Sequence, residues 1–439
     1  MENQTQIQDY YRQSASNYAR YWLDSIQAQP HDDPRLDAEI ENIFSAFALA
    51  EQYNLNGLLI RGVADIYHYC EGRGLYAQIQ RQLVRAHQAA ETEADSHALA
   101  RIALYRGRIA MRSERFAEAR AQWDRGLALA HQIDDSALIS DFQTELGVLA
   151  TESRQYKESE EYLQSALALA QGLGEKERIA VLLGELCRVA FFRHQLDQAE
   201  VYANQALAIT TAQGYHHRTT GLLVYLGIIE ETRGHLPAAC QHWERGLALA
   251  REVGNLARIS NLLVNLGMIA IQTEDFDSAE DYLREGLDVA RRLGQRQETS
   301  HLLMDLGLLY ARRGQPAEAE ACMDESLRLA RETGHLPLIA YNLLKRGEFH
   351  LARQEWQRAA DSYAECIPLR DSDNERDREK AASAFWGLAQ VAAGRGNPTD
   401  ARQMAAQSLA LFDELGHHQA AQVRLWLEEL PEPHGNRLS

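Results

Sequence analysis

The sequence predicts an all-α, right-handed solenoid of paired antiparallel helices, and three regularities lead to this prediction. The pattern of apolar, small and glycine positions repeats every 40 residues without a gap, as in the consecutive segments 217–256, 257–296 and 297–336. Small residues recur in fixed columns of the repeat, and glycines with the same spacing follow its helical stretches. A fixed period of this length indicates a stack of helical repeats.

The columns of small residues set the register of the helix pairs. Because glycine inside a helix costs roughly 1 kcal/mol relative to alanine, a column rich in glycine needs a steric reason. The three columns are Gly107, Gly147, Cys187, Gly227, Gly267, Gly307 and Gly347; Ala119, Ser159, Ala199, Ala239, Ala279, Ala319 and Ala359; and Gly126, Ala166, Ala206, Gly246, Gly286, Ser326 and Cys366. We expect these positions to mark the close approach of two helix backbones.

This arrangement resembles the tetratricopeptide repeat, from about Gly57 to Glu429. The resemblance rests on a small residue in the first helix, an alanine twelve positions later, another small residue seven beyond it, and large apolar side chains between. The period of 40 residues departs from the usual 34 of that family, because the second helix is longer by about a turn and a half. Versions of this length look like the repeats of MalT-like regulators and of the sensor regions of STAND signalling ATPases.

Residues 1–56 are predicted to form an N-terminal helical cap. Apolar residues at helical spacing predict an amphipathic helix over 4–29 whose aromatic stripe packs on the next helix. The stripe is Ile7, Tyr11, Tyr18, Trp22 and Ile26. Pro34 suits the first turn of a second helix, which we expect from Leu36 to about Tyr53. Its segment EIENIFSAFALAEQ is similar to the segment that leads into the repeats of STAND proteins.

The repeats are predicted over most of the remaining chain. Residues 57–96 form a degenerate first repeat with Tyr67 in the glycine column, and 97–369 form seven regular repeats. Their second helices end on glycines that are expected in the left-handed conformation, namely Gly174, Gly214, Gly254, Gly294 and Gly334. After the charged loop RDSDNERDREK, residues 370–418 form an eighth repeat, 419–430 a capping helix and 431–439 a disordered tail.

The composition of the chain limits the kinds of partner that we expect it to bind. The net charge of −18 disfavours nucleic acid and anionic membranes and favours basic partners, although solubility alone would also explain it. The chain has no apolar run long enough to span a membrane and no signal-peptide pattern, so a cytoplasmic location is expected. Its five cysteines show no CxxC pairing and are expected to be reduced thiols that bind no metal.

Candidate binding residues lie on the side of each first helix that faces away from the second helix. When the first small column is position 8, so that Gly267 is position 8 of its helix, positions 2, 5, 9, 12 and 13 share that side at about 100° per residue. The resemblance implies that they line a concave groove. In the middle of the chain they are apolar: Val224, Ile228, Val264, Met268, Ile271, Met304, Leu308, Leu344 and Leu351. This strip is either an open partner site or is covered by its own neighbours or a terminal helix.

Upstream, the same side is basic and aromatic. Its residues are Arg101, Arg108, Arg112, Arg188, Phe191 and Phe192. Arginines could hold a carboxylate or phosphate of a ligand by bidentate contacts. The alternative is that they are paired with neighbouring glutamates.

Catalytic motifs are missing from the sequence. No GxxxxGK[ST], GxGxxG, HExxH or GxSxG string occurs, and the adjacent pairs His216-His217 and His417-His418 point in different directions on a helix. We therefore expect neither enzyme activity, nor a cofactor, nor a metal site. The sequence predicts a module that binds a protein, peptide or small ligand in the groove between about Arg101 and Leu351. It serves either as a sensor beside a signalling ATPase or effector, or as a free-standing adaptor that assembles a complex without sensing.

Overall fold

The computed structural model describes residues 2–27, 34–369 and 375–430, and all regular structure in these ranges is helical. The helices are α1 (Glu2–Gln27), α2 (Pro34–Gln52), α3 (Asn56–Gly72), α4 (Tyr76–Thr92), α5 (Ser96–Arg112), α6 (Phe116–Gln132), α7 (Ser136–Glu152), α8 (Tyr156–Leu173), α9 (Lys176–Phe192), α10 (Leu196–Gln213), α11 (His216–Thr232), α12 (Leu236–Glu252), α13 (Leu256–Gln272), α14 (Phe276–Arg292), α15 (Arg296–Arg312), α16 (Pro316–Thr333), α17 (Leu336–Ala352), α18 (Trp356–Cys366), α19 (Glu375–Gly394), α20 (Pro398–Glu414) and α21 (Gln419–Glu429). The predicted all-α repeat solenoid is confirmed.

The chain forms two compact units, Met1–Tyr215 and His216–Ser439, which we term unit 1 and unit 2. In both units each first helix packs against the second helix of its own pair, as α5 does against α6 and α13 against α14. Successive first helices also contact one another: α5 contacts α7, and α13 contacts α15. Within each unit, a first helix is therefore covered on one side by its own repeat and contacts the first helix of a neighbouring repeat.

The N-terminal helix buries a different stripe from the one predicted. Tyr11 is 61% exposed, whereas Ala19 and Leu23 are fully buried against the rest of unit 1. Small side chains let α2 approach more closely than tyrosines would, and a tyrosine at the surface keeps its hydroxyl hydrated. Of the predicted stripe, Ile26 is buried and Trp22 packs against the cluster, while the side chain of Ile7 lies outside the described part of the chain.

The charged segment after Leu369 is less extended than predicted. Helix α19 already begins at Glu375, inside the segment 370–380 that we expected to be a loop. Residues 370–374 lie outside the described ranges, as does the predicted disordered tail 431–439. In contrast, the predicted left-handed glycines are confirmed, since Gly174, Gly214, Gly254, Gly294 and Gly334 all have φ between 67° and 70°.

The glycines of the first column make room for a large side chain sixteen residues later, on the second helix. A Cβ on Gly227 would lie 2.0 Å from Nε1 of Trp243, and one on Gly107 would lie 2.1 Å from Nε1 of Trp123. The two indoles are buried, and that of Trp243 donates to the carbonyl oxygen of Val224 at 3.1 Å. At these two positions the close approach joins a helix backbone to a side chain, whereas a Cβ on Gly307 would also lie 3.2 Å from the backbone carbonyl oxygen of Ala319 on the second helix.

This packing predicts opposite effects of the same substitution at two positions of α11. Gly227→Ala should lower the free energy of unfolding by about 1 to 3 kcal/mol, because the new methyl group collides with the buried indole. Gly221→Ala should raise it by about 0.4 to 1 kcal/mol, since its Cβ meets only the end of Arg258 at 3.6 Å and alanine restricts the unfolded chain. Urea unfolding followed by circular dichroism measures both; an equal gain at the two positions would contradict the packing.

Candidate binding faces of the first helices

We use the name first-helix face for the side of the first helices that points away from their second helices. In unit 1 it comprises the predicted basic and aromatic residues of α5 and α9, and in unit 2 the predicted apolar residues of α11, α13, α15 and α17. The two stretches lie in different units. Each is therefore considered by itself.

Two of the four predicted arginines of unit 1 are held by carboxylates. Nε of Arg108 donates to Glu145 of the neighbouring first helix at 2.7 Å. Nη1 of Arg188 donates to Glu152 at 2.6 Å, and its Nη2 lies 2.8 Å from Glu185. A ligand anion would have to displace these carboxylates, so the geometry at Arg108 and Arg188 matches the paired alternative rather than a vacant anion site.

The other two arginines are less constrained. Arg112 is exposed and lines a cavity of about 610 Å³ together with Arg108, Glu71, Glu145 and Glu152. Arg101 donates to the hydroxyl of Tyr105 at 3.3 Å. A hydrogen bond from His68, joined by the charges of Arg108 and Arg112, lowers the pKa of Glu71. The cavity therefore has a mixed charge and is not a purely basic pocket.

The predicted aromatic residues of α9 pack against each other and against the second helix of the preceding repeat. Phe192 stacks on Tyr156, with ring centroids 5.7 Å apart, and Phe191 meets Phe192 edge to face at 5.9 Å. Both phenylalanines are half-buried. They retain some surface for a ligand, but their arrangement also serves the contact between α8 and α9.

Unit 2 combines buried and accessible apolar side chains on its first-helix face. Val224, Ile271 and Met304 are buried, and Met268 is 36% exposed. The remaining predicted residues are half-buried, namely Ile228, Val264, Leu308, Leu344 and Leu351. Val264, Ile271, Met304 and Leu308 belong to one apolar cluster. Neighbouring residues of the strip thus contact each other along the row while much of its outer surface remains accessible.

The most unusual polar residue of this face is Asp305, which the sequence analysis did not select. It is 4% exposed and lies on α15 beside Met304. Burial raises the pKa of its carboxyl to about 7, although the positive charge of Lys345 acts in the opposite direction. The charge of Asp305 in turn adds to the effect of burial in raising the pKa of Tyr341. Asp305 therefore lies close enough to Tyr341 and Lys345 of α17 for its charge to interact with theirs.

Position 6 of the first helices carries the residues that the sequence analysis missed. Glu145, Glu185, Asp305 and Lys345 all occupy it. Burial also raises the pKa of Glu145, against the charge of Arg108. At about 100° per residue, position 6 lies only about 20° from position 13 on the helical wheel, which we had assigned to the groove. Ionisable residues at that angle were the signal that could have revealed it.

Metal and thiol chemistry has little support in the part of the chain that the structure describes. There, no group of three His, Cys, Asp or Glu side chains could hold a metal ion. All five cysteines are free thiols, and burial raises the pKa of Cys70 and of Cys187 to about 12 in each case. A thiol with a raised pKa is a poor nucleophile at neutral pH. Within the described ranges, no helix combines the length and the apolar content that crossing a membrane requires.

Several solved structures share the fold. The apo form of the quorum sensor NprR from B. thuringiensis aligns with a TM-score of 0.60 at 14% identity, over 80% of this chain and 98% of that one. A STAND protein with a tetratricopeptide repeat sensor from Pyrococcus horikoshii aligns with a TM-score of 0.59 at 14% identity, over 87% of this chain and 54% of that one. A Rap protein complexed with competence and sporulation factor aligns with a TM-score of 0.54 at 13% identity, over 84% of this chain and 99% of that one.

Family models identify the repeats themselves. No curated protein sequence matches the chain. Two models described as tetratricopeptide repeat do match it: one at residues 218–292, 258–332 and 298–371, the other at 104–174. These segments lie in both units and contain the small-residue columns described above. The chain is a member of the tetratricopeptide repeat family.

Proposed function

We propose that the protein is a non-enzymatic interaction module that binds a peptide or protein segment on the first-helix face of unit 2. The observation that carries this proposal is the row of apolar side chains on helices whose opposite sides are already buried. Surface-accessible apolar rows of this kind are a feature of interaction sites, because a soluble protein gains nothing from leaving them in water. Met268 is the most exposed member of the row.

The chemistry of the row favours an extended or helical peptide over a rigid small molecule. Methionine side chains are unbranched, so they can change their shape to fit different side chains of a partner. A row that runs across successive helices offers apolar contacts at a regular spacing, which suits side chains that recur along a peptide. The names of two structures that share the fold, a quorum sensor and a Rap protein in complex with a factor, are in line with this class of ligand.

This proposal places the binding site in a shorter part of the chain than the groove from Arg101 to Leu351 that the sequence predicts. Arg108 and Arg188 are engaged by carboxylates within unit 1, so we assign them a structural role. Arg101, Arg112, Phe191 and Phe192 remain candidate contact residues beside the cavity or on the surface of unit 1. The absence of enzyme activity and the cytoplasmic location stay predictions from the sequence.

A displayed library of random peptides tests the proposal. The parent protein should enrich peptides with several apolar residues, and Met268→Asp should weaken their binding at least tenfold, because a charge in an apolar contact costs more than about 1.4 kcal/mol. Met268→Asp plus Leu308→Asp should abolish it. The matched control is Leu425→Asp, which changes an equally apolar residue that is 62% exposed on α21. Isothermal titration with an enriched peptide gives the affinities.

Equal loss of binding in the control variant, or unchanged binding by Met268→Asp, would refute the proposed site.

The complex of the protein with an enriched peptide also distinguishes a sensor from an adaptor. Each repeat contacts only its neighbours, so small rotations add up along the chain. A sensor should change its small-angle scattering when the peptide binds, and should alter the turnover of a signalling ATPase that copurifies with it. An adaptor should bind the peptide with the scattering unchanged.

A further inference from the structure

Asp305 is a buried carboxylate that lacks the partner such a group normally has. It is 4% exposed, and among the described residues the interaction seen at its carboxylate is the charge of Lys345. The Nζ of Lys345 donates a hydrogen bond to Glu348 at 2.9 Å, so this cation is not committed to Asp305 alone. A buried carboxyl group without a partner is costly and is found mostly where it has a role.

The repeat supplies an internal standard for what is missing. In unit 1, position 6 of α7 is Glu145, and its carboxylate accepts from Arg108 at position 9 of the preceding first helix α5. The two residues are 37 positions apart in the sequence. In unit 2 the residue 37 positions before Asp305 is Met268, at position 9 of α13. The pair α13 and α15 is in contact, as α5 and α7 are. At the repeat position that holds the Arg108 guanidinium beside Glu145, the repeat before Asp305 carries the uncharged Met268.

We propose that a basic side chain of the bound segment, arginine or lysine, pairs with Asp305 at the place that corresponds to Arg108 beside Glu145. This inference rests on the proposed function and names the chemistry of the partner. The segment carries a cation between apolar residues. Its apolar residues contact the row that includes Val264 and Leu308, and its cation reaches the carboxylate of Asp305.

The surroundings of Asp305 suit this ligand. The Met268 side chain is unbranched and 36% exposed, so it can rotate into solvent and admit the cation. The aliphatic stem of an arginine or lysine covers apolar surface, and only its charged end needs the carboxylate. Burial favours the neutral form of Asp305 in the free protein, and an arriving cation restores the ionised form. The net charge of −18 attracts a basic segment over longer distances.

A double-mutant cycle tests the pairing. The probe is an apolar peptide with one arginine, taken from those that the parent protein enriches, and its matched form has citrulline, the uncharged isostere, in place of the arginine. With the parent protein, citrulline should bind about tenfold more weakly, as expected for the loss of a charge-assisted contact. With Asp305→Asn the two peptides should bind equally well. Glu298→Gln, which removes an exposed carboxylate from the same helix, should keep the tenfold difference.

The outcomes separate this inference from the proposed function. Enriched peptides without any preference for arginine or lysine would overturn the pairing and leave the binding site intact. The same conclusion follows if replacing arginine by citrulline weakens binding to Asp305→Asn as much as it weakens binding to the parent protein. A library that yields no peptide sensitive to Met268→Asp would overturn both. Loss of the preference in Asp305→Asn alone would support the pairing.

Discussion

Asp305→Asn should stabilise the protein at neutral pH and leave its stability unchanged near pH 4. Burial raises the pKa of this carboxyl to about 7, from the ordinary aspartate value of 3.8. Between these two values the folded protein holds a proton that the unfolded chain has lost, so the stability of the parent protein falls as the pH rises. Below about pH 4 both states are protonated, and above about pH 7 both are ionised. The advantage of the asparagine variant should therefore grow from about pH 4 to pH 7 and then level off.

The size of this effect makes it easy to measure. At about 1.4 kcal/mol per unit of pKa shift, the full difference is on the order of 4 kcal/mol. Urea unfolding at a series of pH values gives it directly. The groups that face Asp305 from α17, Tyr341 and Lys345, are present in both proteins, as is His301, whose pKa is lowered by burial. The difference between variant and parent therefore reports mainly on residue 305.

Glu298→Gln is the control for this pH series, because it removes a carboxylate of the same helix from an exposed position. Its difference from the parent should be small and nearly flat from pH 4 to pH 8, as for most surface substitutions. A flat difference for Asp305→Asn as well would mean that Asp305 is ionised and well paired in the folded state. That result would also remove the structural ground for a cation from the partner.

The architecture could be predicted because it depends on steric features that repeat. Gly227 and Gly267 each open space for a residue sixteen positions later, Trp243 in one case and Leu283 in the other. A larger residue would collide there, so columns of small residues appear in a single sequence without any alignment. The glycines at the ends of second helices are equally restricted by their positive φ. Such steric constraints restrict which residue type can occupy a position, and the residue type can be read directly from the sequence.

The site could be predicted only in part, because exposure and pairing depend on neighbours far apart in the sequence. The wheel placed Met268 and Met304 on the same face, but Met268 is 36% exposed whereas Met304 is fully buried. The side chains that surround each methionine determine this difference in exposure. Likewise, Tyr11 was expected to be buried because of its spacing, while Ala19 and Leu23 made the closer contact. A helical wheel gives directions and does not give the distance to the next helix.

Arg108 illustrates the same limit and leads to the second large effect that we expect. Arg108→Met should lower the free energy of unfolding by about 2 to 3 kcal/mol, because it leaves the mostly buried carboxylate of Glu145 without its cation and near the like charges of Asp141 and Glu71. The cost lies below that of a fully buried pair, since 26% of the Arg108 side chain and 18% of the Glu145 side chain are exposed. Adding Glu145→Gln should restore most of the loss, as no unpaired charge then remains. Urea unfolding of the parent, the two single variants and the double variant measures the coupling.

Arg112 provides the matched control, because it lines the same cavity as Arg108 but is exposed. Arg112→Met should change the free energy of unfolding by less than about 0.5 kcal/mol. If Arg108 instead belonged to a ligand site without a structural partner, its substitution would leave stability unchanged and weaken binding of an anionic ligand. A large loss of stability that Glu145→Gln repairs would assign the arginine to the fold. The cation at this position in unit 1 would then be an internal counterpart of the one that unit 2 takes from its partner.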